Sequence, residues 1–182
     1  KVPDGPLTSH LQNIEVGDQV LMRKKPTGTL VNDALIGGKR LYMLSTGTGF
    51  APFASLIREP ETYEKFDEVI LTHTCRDVAE LKYGIDLVEA VKQDELVGEE
   101  ASKQLTLVTA TTREEYPTMG RITTRIEDGS LFDGLGVPRL NPEEDRVMIC
   151  GLMDMLKDCK ALCESHGLTE GANNNPAEFV VE

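Results

Sequence analysis

"KRLYMLSTGTGFAPFASLIREP", residues 39–60, is the stretch on which the reading of the chain turns. A mostly apolar run at 41–45 passes directly into Thr46-Gly47-Thr48-Gly49, and a second apolar segment with Pro52 near its start follows at once. A strand that ends in two glycines and opens a helix has two readings. One is a tight β-to-α turn of any α/β protein. The other is a phosphate cradle, in which glycines let the backbone approach a diphosphate while N–H groups at the helix start face the anion. Pro52 stands where a dinucleotide G-x-G-x-x-G fingerprint would carry its third glycine. Proline loses nothing there, because an N–H in the first helical turn has no intrahelical partner.

Outward from this stretch, strand patterns at 40–45, 68–74, 105–111 and 146–150 alternate with helix patterns at 51–58, 77–95, 122–128 and 153–166. Four βα units in succession predict a doubly wound α/β fold, a parallel sheet with helices on both faces. The short apolar run 179–181 predicts a fifth strand. Residues 1–38 stand outside the alternation. "DGPLTSHLQNI" (4–14) reads as a turn opening a short helix near Thr8 or Ser9, and "GDQVLMRKKPTGTL" (17–30) as a strand and a turn at 26–28. So short a segment cannot bury its own core. It is expected to be the tail of another domain, joined at Gly37-Gly38, and Lys1 in place of Met suits a chain whose front is absent.

Composition bounds the function. With 182 residues, 40% of them hydrophobic, and no repeat, the chain is expected to fold around a real core. The net charge of −12 argues against nucleic acid or an anionic membrane as partner. All of that excess lies on residues 39–182, since the four basic and four acidic side chains of residues 1–38 cancel. The four cysteines, at 75, 150, 159 and 163, lack zinc-ligand spacing, so no metal is expected. Cys159 and Cys163, one helical turn apart, read as core thiols in a reducing cytoplasm. His10, His73 and His166 suggest no catalytic triad.

Ligands of parallel sheets gather beyond the C-terminal strand ends. The second strand ends "THTCRDVAELKY" (72–83), with Cys75-Arg76 where an NAD-binding fold would place an acidic residue for the ribose. Arginine suits a 2′-phosphate, although an Arg76–Asp77 surface pair capping the next helix is an equal alternative. The third strand ends "VTATTREEYPTMGRI" (108–122), setting Arg113 and Arg121 on the same edge. Singly each is a solvated charge; jointly, in an acidic chain, the three favour a dianion site. The fourth ends "RVMICGLMDML" (146–156), with Cys150-Gly151 at the turn and Asp154 expected to cap the following helix. No cation adjoins Cys150, so any role it has is one of packing and polarity rather than nucleophilic attack. An NAD-linked dehydrogenase and a noncatalytic nucleotide-binding or partner-docking module remain open on these residues alone.

Taken in order, "DGPLTSHL" (4–11), "RKKPTGTL" (23–30), "STGTGFAPF" (45–53), "THTCR" (72–76), "TREE" (112–115) with "GRI" (120–122), and "CGLMDML" (150–156) resemble the bacterial ferredoxin/flavodoxin–NADP reductases. The resemblance spans essentially the whole chain. It implies a flavoenzyme in which residues 1–38 end an antiparallel FAD-binding β-barrel and residues 39–182 form the NADP-binding α/β domain. Pro6, Leu7, Thr8 and Ser9 would hold the FAD diphosphate. Thr46, Gly47, Thr48 and Gly49 would lie under the NADP diphosphate, with Thr48 reaching the flavin side. Arg76, beside Cys75, would meet Arg113 and Arg121 around the 2′-phosphate. Cys150, Gly151, Met153 and Asp154 would form the wall where nicotinamide meets flavin, with Cys150 the catalytic candidate. The implied reaction passes hydride between NADPH and FAD and single electrons to ferredoxin or flavodoxin, in the cytoplasm. The family's Arg-x-Tyr-Ser flavin motif falls upstream of Lys1 and its C-terminal extension beyond Glu182, so this chain is expected to be a fragment that holds FAD weakly alone. Arg23-Lys24-Lys25, its only basic triplet, is the expected docking point for an acidic carrier.

Overall fold

Strands that are apolar on both sides require a sheet covered on two faces. The computed structural model describes residues 5–22, 24 and 28–182. A one-turn helix, α1 (Thr8–Leu11), precedes a parallel sheet of β1 (Arg40–Thr46), β2 (Glu68–Cys75), β3 (Leu105–Thr111), β4 (Asp145–Cys150) and β5 (Phe179–Val181). The five predicted strands are present within a residue or so of their expected ends. Their order is β3-β2-β1-β4-β5, so the winding reverses between β1 and β4. A crevice opens beyond the carboxyl ends at such a reversal.

The strand period of two divides the core. Leu41, Met43, Val69, Leu71 and Met148 pack on one face against α2 (Phe50–Leu56), α3 (Pro60–Lys65), α4 (Lys82–Val91) and α5 (Gly98–Gln104). Tyr42, Leu44, Ile70, Val147 and Ile149 pack on the other against α6 (Ile122–Glu127), α7 (Ser130–Leu135) and α8 (Met153–Ser165). Cys159 and Cys163 of α8 are buried there, as expected of core thiols.

Three helices escape the sequence pattern: α3, α5 and α7. No strong apolar period marks them, and burial of Tyr63, Ala101 and Phe132 stabilises them instead. The helix predicted at 77–95 is a 3₁₀ turn, Val78–Leu81, followed by α4. The strand expected within 17–30 is not seen at residues 18–22. Val20, Leu21 and Met22 are exposed there, with no neighbouring strand to complete a ladder among the described residues. Pro26 and Thr27 of the predicted turn, and Arg23 and Lys25 of the basic triplet, lie outside the described residues. Further on, Leu30, Ala34 and Leu35 pack into the first face of the core, and Leu35 bridges to Ala177. No helix among the described residues is long and apolar enough to cross a membrane.

Candidate functional site

The ends of β1 and β4 meet without room for side chains. A Cβ on Gly49 would stand 2.2 Å from the Cys150 carbonyl oxygen, and one on Gly151 2.2 Å from Thr46 Oγ1. Thr46 Oγ1 also accepts a hydrogen bond from Leu152 N at 3.4 Å. Between them Gly47–Gly49 forms a 3₁₀ turn that leads into α2. Gly47 has φ of 51° and nothing within 4 Å of where its Cβ would be. The turn is thus clamped underneath and open above, where a ligand can lie on bare backbone.

Beside the turn, at the end of β2, the Cys75 sulfur lies 3.1 Å from His73 Nε2. Burial pushes the Cys75 thiol up to about 11 and brings His73 down to about 4, so both are neutral near pH 7. The Phe50 ring covers the imidazole at 4.4 Å.

At the end of β3 the chain doubles back. Thr111 N donates to the Thr118 carbonyl at 3.1 Å and Gly120 N to the Thr111 carbonyl at 2.9 Å, which brings Arg121, at the start of α6, to the strand end. Arg113 N donates to the Arg76 carbonyl at 3.1 Å. Arg76, Arg113 and Arg121 are all exposed. None of their guanidinium groups is in a hydrogen bond or ion pair among the described residues. Of the Arg76–Asp77 alternative, the ion pair does not form among the described residues, but the cap does: Asp77 takes the cap position of the Val78–Leu81 turn, in a capping box with Glu80. Glu80 accepts from the N–H groups of Arg76 and Asp77, which holds its carboxylate below the ordinary range.

Beyond β4, burial raises the half-buried Cys150 thiol above its ordinary value, with the Glu182 charge adding to it. This is a neutral thiol rather than a nucleophile. Leu152 and Met153 project into solvent beside it, 68% and 64% exposed. Asp154 does not cap α8 as expected; Leu152 occupies the cap position and Asp154 lies in the first turn, favourable to the dipole only.

The structure thus joins Thr46–Gly49 with Cys150 and Gly151, and Cys75 and Arg76 with Arg113, along one sheet edge. Pro6, Leu7, Thr8 and Ser9 stand apart around α1, where the Ser9 hydroxyl donates to the Gly5 carbonyl at 2.5 Å. Sequence reading missed Glu80 and Glu114. An acidic residue three positions after Asp77 is a capping-box signal for Glu80. Glu114 acts across strands, and no local pattern marks it.

The family model for the oxidoreductase NAD-binding domain matches residues 43–161. The chain is similar to a flavodoxin/ferredoxin–NADP reductase of Rhodobacter capsulatus, 59% identical over the whole chain and 67% of that protein. It is 44% identical to a ferredoxin–NADP reductase of Pseudomonas aeruginosa, again over the whole chain and 71% of that protein. Among solved structures, a ferredoxin NADP+ reductase from Neisseria gonorrhoeae with bound FAD and NADP superimposes with a TM-score of 0.81 at 31% identity. The match covers 98% of this chain and 70% of that one. The chain spans about two thirds of the length of these relatives.

Proposed function

This chain belongs to the ferredoxin/flavodoxin–NADP reductase family, and from that premise we propose that residues 39–182 bind NADP(H) while residues 1–38 end a FAD-binding barrel. The parent enzyme exchanges electrons between NADPH and ferredoxin or flavodoxin. One observation supports the reading: in a chain of net charge −12, Arg76, Arg113 and Arg121 stand at the carboxyl ends of β2 and β3 with no ion pair to their guanidinium groups among the described residues. A 2′-phosphate, close to a dianion, is the group they suit.

The residues fit both cofactors in kind. Gly47 offers approachable backbone to a diphosphate, and the neutral turn above β1 adds no repelling charge. Within Pro6–Ser9, Leu7 and Thr8 would face the FAD diphosphate, since Pro6 has no N–H and Ser9 is committed to the Gly5 carbonyl through both its hydroxyl and its N–H. FAD, when bound, supplies the conversion between a two-electron hydride and single electrons. The chain's own share is alignment. Arg76, Arg113 and Arg121 anchor the adenosine end, and Thr46–Gly49 seat the diphosphate. Cys150, Gly151, Met153 and Asp154 set the surface on which the nicotinamide lies. As a neutral thiol, Cys150 contributes shape and polarity, while Leu152 and Met153 keep water from the ring. Four free thiols, three of them buried, support residence in the reducing cytoplasm.

The test is cofactor choice in the full-length protein. Arg76→Ala or Arg113→Ala is expected to raise KM for NADPH about ten- to hundredfold, at about 1.4 kcal/mol per decade, and to leave NADH use nearly untouched. Equal loss with both cofactors would make the arginines structural and bring back the NAD-linked dehydrogenase.

A further inference from the structure

The loops that carry Arg76 and Arg113 are stitched to each other by main-chain bonds, and a carboxylate closes each side of the seam. Arg113 N and Glu114 N both donate to the Arg76 carbonyl, at 3.1 and 3.2 Å, and Thr112 N donates to the Cys75 carbonyl at 3.0 Å. Glu114 then reaches back across the seam, where its carboxylate accepts from Val78 N at 2.6 Å. Its own carbonyl accepts the Thr111 hydroxyl at 2.6 Å. On the opposite side, Glu80 accepts from Arg76 N at 2.9 Å and Asp77 N at 3.2 Å. The main chain of Arg76 is therefore held by both its N–H and its carbonyl.

The main chains of Arg76 and Arg113 are within hydrogen-bond distance, like charges on adjoining loops repel, and a carboxylate between them would be the simple remedy. Here the nearby carboxylates bond backbone N–H groups instead. That use fixes the loops while leaving the arginine heads available to a ligand. We propose that Glu114, assisted by Glu80, is a positioning residue for the 2′-phosphate: it sets the spacing of the β2 and β3 end loops at which Arg76 and Arg113 converge, and so sets the preference for NADP over NAD. This rests on the reading that those arginines hold the 2′-phosphate.

A loop tie that served stability alone would lower the melting temperature and weaken every nucleotide alike. A positioning role is specific to the phosphate. The experiment uses the full-length protein, with adenosine 2′,5′-bisphosphate and 5′-AMP as binding probes and the NADPH/NADH ratio of kcat/KM as a second readout. Glu114→Ala is expected to weaken the bisphosphate roughly five- to twentyfold, the loss of one charge-assisted hydrogen bond, with 5′-AMP changed less than about twofold. Glu114→Gln keeps an oxygen acceptor for Val78 N and should restore the ratio. Glu80→Ala, read by the same criteria, stands in should Glu114→Ala fail to fold. Arg76→Ala runs in parallel to separate the arginine site from its positioning by the glutamates. If Arg76→Ala weakens the bisphosphate and neither glutamate variant does, the positioning proposal falls and the arginine site stands. If Arg76→Ala changes nothing, the arginine site and the proposal fall together. Equal weakening of both probes by Glu114→Ala, without rescue by Glu114→Gln, would also overturn it.

Discussion

At the N-terminal end of the sheet Arg40 and Arg146 are buried and bonded, whereas at the C-terminal end Arg76, Arg113 and Arg121 are exposed with no bond to their heads among the described residues. Arg40 Nε donates to Asp145 Oδ1 at 2.7 Å and its Nη2 to Glu144 Oε2 at 2.5 Å. Arg146 donates to the carbonyls of Ile36, Gly37, Pro142 and Asp145. The same side chain serves opposite ends because burial changes its energetics. A guanidinium removed from water must find acceptors or destabilise the fold by several kcal/mol. One left in water pays no such penalty and stays ready for an incoming anion. With 31 acidic residues in the chain, a scarcity of carboxylates cannot explain the bare heads. What differs is where the backbone places them.

The largest expected effect breaks the buried end. Asp145→Ala leaves Arg40, which is 2% exposed, without its main acceptor, and should lower unfolding free energy by about 3–5 kcal/mol in denaturant titration. A loss under about 1 kcal/mol would erase the contrast between the two ends. Salt should sharpen it next. Raising ionic strength from about 0.1 to 1 M shortens the screening length from about 10 to 3 Å, so adenosine 2′,5′-bisphosphate should bind about tenfold more weakly. The unfolding midpoint of the Arg40–Asp145 end should move little. Binding insensitive to salt would mean that the exposed arginines do not meet the phosphate.

The smallest effect is at Glu80, the satisfied charge of the exposed end. The N–H groups of Arg76 and Asp77 favour its charged form and hold its folded pKa below the ordinary 4.5. Its contribution to stability is therefore complete above pH 4.5 and is lost as pH falls through the lower folded value. Glu80→Gln should flatten that acid slope by roughly 0.5 kcal/mol or less, because solvent screens an exposed group. An unchanged acid slope would show that the N–H bonds to Glu80 do not hold in solution.

Much of this architecture is local and therefore readable. The run 41–45 into Thr46-Gly47-Thr48-Gly49 states a strand, a turn and a helix start, and four such units imply a parallel sheet whose strand ends carry Arg76, Arg113, Arg121 and Cys150. The same local logic misled at Asp154, whose residue type suits a helix cap while the backbone puts Leu152 there. It was silent on α3, α5 and α7, which carry no strong apolar period and exist because the core receives Tyr63, Ala101 and Phe132. The sequence by itself determined the order of strands and helices and which side chains stand near each strand end. Those follow from periods of two and 3.6 residues and from turn chemistry, which act over a few positions. Only the tertiary structure decided that Gly49 meets Cys150 and that Glu114 reaches Val78. It likewise decided that Arg40 finds Asp145 while the Arg76 guanidinium forms no ion pair among the described residues. These contacts join residues far apart in the chain, and sheet order and register, rather than any local pattern, bring them together.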